Sequence, residues 1–242
     1  MNLRASEAAE RAKGILNCAE KVTGVKVVLA PPFTSLHSVG QIVRDSQIGL
    51  AAQNFHFEQK GAFTGEISSE MIKEAGCEYA IIGHSERRYV FGEKDEWINK
   101  KIHCALEMGI TGIVCVGETI EQRRVGETFK IIENQISKAL EGVDASHLEE
   151  VVIAYEPVWA IGTGENATAD QAAEVHEFIR STITNNFSGN KNISLKILYG
   201  GSVTPKNSGE LLHNEQIDGA LVGGASLNID SFCDIISSAQ DA

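Results

Sequence analysis

Cationic side chains are scarce in this chain: 21 Lys and Arg stand against 33 Asp and Glu in 242 residues, a net charge of −12. Such a surface repels a phosphate backbone, so nucleic acid and anionic membrane are not expected partners. Any anionic substrate would need a local positive field from backbone dipoles or a few placed cations. Cysteine is sparse too. Cys18, Cys77, Cys104, Cys115 and Cys233 are odd in number, widely spaced and free of any Cys-x-x-Cys pattern. That argues against a disulfide framework or a zinc site and for a reducing cytoplasm, with most of the five acting as small buried hydrophobes. No apolar run is long enough to span a membrane. No basic-then-apolar leader opens the chain, so secretion has no support. Linkers, low-complexity tracts and composition shifts are missing as well, so residues 1–242 read as one domain.

What is present is alternation. Ala5, Ala8, Ala9, Ala12, Ile15, Leu16 and Ala19 recur at helical spacing, so the chain opens in a helix. A β-branched run, Val25 to Ala30, follows and stops at Pro31-Pro32. Further strand-like runs lie near 48–52, 79–83, 111–116, 150–155, 195–199 and 219–222. Helical stretches lie near 34–44, 66–75, 95–108, 127–141, 168–186, 204–213 and 229–240. Most strands are continuously apolar, as a parallel sheet covered on its outer face requires. Eight helices and seven strands fit an open doubly wound sheet or an eight-fold β/α barrel short of its leading strand. No Gly-x-Gly-x-x-Gly follows an early strand and no Walker-type loop occurs, which weakens the first. Polar residues gather after many strands, which favours the barrel.

Those strand ends carry the chemistry. His84 follows the apolar run 79–83, and Ser85-Glu86 opens a helix behind it. The positive end of that helix disfavours a protonated imidazole, and a neutral one can donate to a carbonyl oxygen gaining charge. A lone histidine in such a place is more often structural. Glu156 ends the run 151–155, where a poorly solvated carboxylate is a usable base or, equally, a salt-bridged rim residue. Residues 157–164, rigid at the start, apolar in the middle and glycine-bearing at 162 and 164, suit a lid that excludes water. The amides around Gly162 could also face an anion. Tyr199-Gly200-Gly201-Ser202 and Val222-Gly223-Gly224-Ala225-Ser226 end the last two strands. Paired glycines there let amides approach a phosphate, although tight turns alone would also use them. A base, a neutral donor, a lid and a phosphate nest together suit a 1,2-proton shift on a short phosphorylated carbonyl compound.

Ala51-Ala52-Gln53-Asn54, the run 61–66 from Gly61 to Glu66, the run 83–88 from Gly83 to Arg88, the run 154–164 from Ala154 to Gly164, and the run 198–203 from Leu198 to Val203 closely resemble the triosephosphate isomerase family, over essentially the whole chain. The resemblance implies a TIM (β/α)8 barrel. It implies interconversion of dihydroxyacetone phosphate and glyceraldehyde 3-phosphate through an enediolate, in glycolysis and gluconeogenesis, without cofactor or metal. Glu156 is then the base and His84 the neutral electrophile. Phosphate contacts fall on Gly162, Ser202, Gly223 and Gly224. Glu86 is the acidic partner that fixes a catalytic lysine, and Thr64 sits on a loop that reaches into the partner's site of a homodimer.

The resemblance departs at the start. The family's first strand ends in Asn-Trp-Lys-Met-Asn, whereas this chain begins Met1-Asn2, and Glu165 replaces a lysine common in the family's lid. The expectation is that the first strand and the catalytic lysine are missing. The chain as written would then be poorly active and prone to aggregate. A catalytically impaired, phosphate-binding barrel is the alternative this raises.

Overall fold

The computed structural model describes residues 1–161, 167–187, 189 and 193–240. The apolar runs become seven strands: β1 (Val28–Leu29), β2 (Gly49–Ala52), β3 (Tyr79–Ile82), β4 (Thr111–Val116), β5 (Val151–Tyr155), β6 (Lys196–Tyr199) and β7 (Gly219–Ala220). They form one parallel sheet in the order β1-β2-β3-β4-β5-β6-β7, so every strand pairs with its neighbours in sequence. The register runs, for example, from Ile82 to Val114 and from Val114 to Ile153. Among the described residues the helices are α1 (Ala5–Ala19), α2 (Phe33–Val43), α3 (Ser69–Glu74), α4 (Ser85–Tyr89), α5 (Asp95–Glu107), α6 (Ile120–Arg124), α7 (Thr128–Ala139), α8 (Ala169–Phe187), α9 (Ser208–Leu212) and α10 (Ile229–Gln240).

Alternate strand residues face different cores. Ala80, Ile82, Val114, Val116, Ile153 and Ile197 join one large cluster with helix residues such as Ile98, Ile132, Ile136 and Ile179. Ile81, Ile113, Cys115 and Ala154 form a second cluster with other strand and strand-end residues alone. The sheet therefore has a helix-covered face and a face packed on itself, which is why β2, β4 and β5 read as unbroken apolar runs. This is the α/β organisation expected from the alternation.

Three expectations need correction. The helix count rises by two: α4 is the helix expected to open at Ser85-Glu86 but not included in the eight, and α6, a five-residue helix after β4, shows little periodicity. The first and last strands shrink to two residues each, since β1 pairs only with β2 and β7 only with β6. Finally, a disulfide exists: Cys18 of α1 is bonded to Cys233 of α10, with Cα atoms 5.9 Å apart across a sequence separation of 215. Spacing along the chain carries no trace of this, because the bond depends on the first and last helices packing side by side. Cys77, Cys104 and Cys115 are free and buried, as the small-hydrophobe reading holds.

Candidate active site

The C-terminal ends of parallel strands share one rim, and His84 and Glu156 lie there, just after β3 and β5. Gly83 follows β3 with φ +69°, a backbone conformation that side chains resist, and a Cβ there would come within 2.6 Å of Ile98 Cδ1. This turn delivers His84 as the N-cap of α4, with its Nδ1 accepting from the Glu86 amide at 3.3 Å. An accepting Nδ1 puts the proton of the neutral ring on Nε2. That nitrogen lies 2.9 Å from Glu156 Oε1.

Glu156 leaves β5 with its amide bonded to the Val116 carbonyl at 2.7 Å, and the residue is 2% exposed. Its Oε2 accepts from the Ser85 amide at 2.9 Å, and its Oε1 from the Ser85 hydroxyl at 3.4 Å. Two glycines on flanking strands make space for it. A Cβ at Gly117, after β4, would collide with the Glu156 carbonyl, and one at Gly200, after β6, would lie 2.8 Å from Glu156 Cγ. The carboxylate is thereby confined to a narrow path between its neighbours.

Burial disfavours protonation of His84, but the hydrogen bond and charge of Glu156, with a smaller push from Glu86, outweigh it and raise its pKa above the ordinary histidine value. The expected suppression by the helix dipole is not what dominates here: α4 has only five residues, whereas the carboxylate is in direct contact.

A second buried carboxylate stands behind the first. Glu118, fully buried, accepts from the Tyr155 hydroxyl at 3.2 and 3.3 Å, from Trp159 Nε1 at 3.0 Å and from Arg123 Nη1 at 3.2 Å. Arg123 also stacks over the Trp159 ring at 4.7 Å. The segment leading out of Glu156, a 3-10 turn at Val158–Ala160, is thus tied to the end of β4. Neither Glu118 nor Ser85 stood out in the sequence. Their signal was position alone: each lies just past a strand end, beside a glycine or a histidine.

The remaining candidates are more dispersed. Ser202 is half-buried and its carbonyl accepts from Asn207 Nδ2 at 3.0 Å. Gly223 and Gly224 are exposed, with open space where side chains would stand. The short helix expected after Gly224 is a single 3-10 turn, Gly224–Leu227, closed by the Ser226 amide donating to the Gly223 carbonyl at 3.0 Å. Glu86 is largely exposed, and its carboxylate lies 3.9 Å from His84 Nδ1. Thr64 is exposed on the connection between β2 and α3. Gly162, with Thr163, Gly164 and Glu165, lies outside the described residues.

The family model described as triosephosphate isomerase matches residues 1–239. The chain belongs to the triosephosphate isomerase family. It is 50% identical to the triosephosphate isomerase of Aquifex aeolicus over 238 residues, which is 98% of this chain and 96% of the relative. It is 48% identical to that of Rhodopirellula baltica over 242 residues, all of this chain and 95% of the relative. With that of Geotalea uraniireducens it shares 48% identity over 231 residues, 96% of this chain and 92% of the relative. Family membership fits the parallel α/β sheet and the clustering of polar residues at its C-terminal rim. The expectation that the first strand and its lysine are missing gains no support from these matches. Nor does the non-catalytic alternative built upon it.

Proposed function

We propose that this protein is a triosephosphate isomerase, interconverting dihydroxyacetone phosphate and glyceraldehyde 3-phosphate by proton transfer through an enediolate. The observation that carries the reading is the contact between Glu156 and the Nε2 face of His84 at 2.9 Å, at the rim of a family barrel. Glu156 serves as base, and His84 donates from Nε2 to the substrate oxygen as charge develops there. A carbonyl oxygen entering against Nε2 takes over the hydrogen bond now made by Glu156 and leaves the carboxylate to accept a proton from carbon. Low exposure of Glu156 supports this, since a desolvated carboxylate meets little competition from water.

The phosphate is assigned to amides and hydroxyls of Gly162, Ser202, Gly223 and Gly224. The open space beside the last two glycines is compatible with a bound anion, and an acidic chain benefits from using backbone dipoles there. Thr64 keeps a supporting role in subunit contact, and Glu86, which the resemblance pairs with a catalytic lysine, is assigned here to the electrostatics around His84. The chain is read as one eight-fold barrel domain that works as a homodimer in the cytoplasm. The exposed apolar side chains Phe63 and Trp97, linked through the rings of His56 and Phe57, favour the dimer, because a contiguous group of this kind seeks cover. No helix among the described residues is long and apolar enough to cross a membrane.

The test is a coupled assay in both directions, together with deuterium incorporation from solvent into recovered substrate. E156Q should lower kcat by a factor on the order of 10²–10⁴. Undiminished turnover in E156Q would overturn the assignment of the base. Absence of solvent deuterium in the products of the active protein would overturn proton transfer through an enediolate.

A further inference from the structure

The first and last helices meet along one line. Arg11, Gly14 and Cys18 share a face of α1, at helical spacings of three and four. Arg11 Nε donates to the Leu227 carbonyl at 2.7 Å, at the end of the Gly224–Leu227 turn. Gly14 allows close approach, since a Cβ there would lie 2.7 Å from Ile229 Cδ1. Cys18 then bonds Cys233. Among the described residues no ladder hydrogen bonds join β1 to β7, so helices hold this seam of the molecule.

The two bonded cysteines also differ from the other three. Both are half-buried, within reach of a reductant. Cys77, Cys104 and Cys115 are buried, and burial raises each thiol, that of Cys77 to about 12, so little reactive thiolate forms. Exchange chemistry is thus confined to one pair. A disulfide in a reducing compartment is usually a reversible one.

We propose that Cys18–Cys233 is a thiol–disulfide exchange site, and that its redox state sets how firmly α1 braces the turn Gly224–Leu227. The co-reactant is a dithiol, either a small molecule or a protein with paired cysteines. Its thiolate attacks one sulfur and the S–S bond breaks, leaving a mixed disulfide and a free thiolate on the chain. The reductant's second thiol then displaces the remaining cysteine. Two electrons and two protons pass to Cys18 and Cys233, and the dithiol leaves as its own disulfide. The reverse sequence, with a disulfide oxidant, restores the clasp.

The experiment uses the full chain equilibrated with oxidised or reduced dithiothreitol, then alkylated under denaturing conditions and weighed intact. Three alkyl groups are expected after oxidation, for the free cysteines, and all five cysteines should react after reduction. Reduction should lower Tm by roughly 5–15 °C, the range for losing a bond that closes a long loop in a chain of this size. Amide exchange in peptides covering residues 224–233 should quicken by about threefold or more, since local opening becomes easier. The double variant C18S/C233S should match the reduced protein and ignore the reductant; if it fails to fold, reduced wild type supplies the same comparison. Five alkyl groups after oxidation would overturn the exchange site. Equal amide exchange in the two redox states would overturn the brace.

Discussion

Gly200 and Glu156 are matched by size: a Cβ on the glycine would come 2.8 Å from Glu156 Cγ and 3.2 Å from the Tyr155 carbonyl. G200A should therefore displace the carboxylate rather than unfold the sheet. We expect kcat/KM to fall by roughly 10²-fold, the usual consequence of a misplaced reacting group. Steady-state kinetics beside a thermal melt would separate the two effects. A variant that melts early with normal kinetics per folded molecule would contradict this.

His84 should titrate above about 6.5, the ordinary histidine value, in the protein without substrate. A pKa raised by folding stabilises the native state fully below the unfolded value, and that contribution disappears as pH rises through the folded value. The melting temperature of wild type should therefore exceed that of H84N by more at pH 6 than at pH 9. NMR titration of the His84 ring gives the midpoint directly, and one below about 6.5 would show that burial prevails over Glu156.

His176 should behave in the opposite sense. It is fully buried, donates from Nδ1 to the Gln216 carbonyl at 3.1 Å, and presents its edge to Tyr155. Burial pulls its pKa down to about 4. A lowered histidine pKa leaves stability intact above about 6.5, erodes it as pH falls, and exhausts the effect below about 4. Up to ~3 kcal/mol is at stake across that window. Urea unfolding from pH 7 to pH 4 should show a shallower decline in H176Q than in wild type, although H176Q starts from a lower value.

Glu118 holds three donors at once, from Tyr155, Trp159 and Arg123. E118L would take the acceptor from the buried Tyr155 hydroxyl and the charge partner from Arg123. Breaking such a pair costs about 3–5 kcal/mol, which urea denaturation would resolve. E118Q keeps an acceptor oxygen and should lose less. Equal losses in the two variants would mean that packing, not the acceptor, matters at this position.

Much of this protein was readable along the chain. The runs near 111–116 and 150–155 anticipated β4 and β5 to within a residue, because strands buried on both faces have no polar alternation to confuse. The helices of eleven or more residues were visible from periodicity. α4 is legible only as a helix start at Ser85-Glu86, and α6 carries no periodic signal, since five residues give one turn and a fraction. His84 and Glu156 are legible as candidates because each follows an apolar strand. Their partners Ser85, Gly117 and Gly200 play parts that only contact distances assign.

The sequence by itself determined the family, the parallel α/β alternation and the residue types available for proton transfer, since local periodicity and a long segment such as 154–164 are properties of the chain alone. Tertiary structure decided the rest. It put Glu156 against His84 and so turned the expected suppression of imidazole protonation into a rise. It also brought Cys18 to Cys233 across 215 positions, against the reading of isolated thiols. Both reversals share one physical reason: charge and covalent chemistry act over a few ångströms of space, and distance along the chain does not report them.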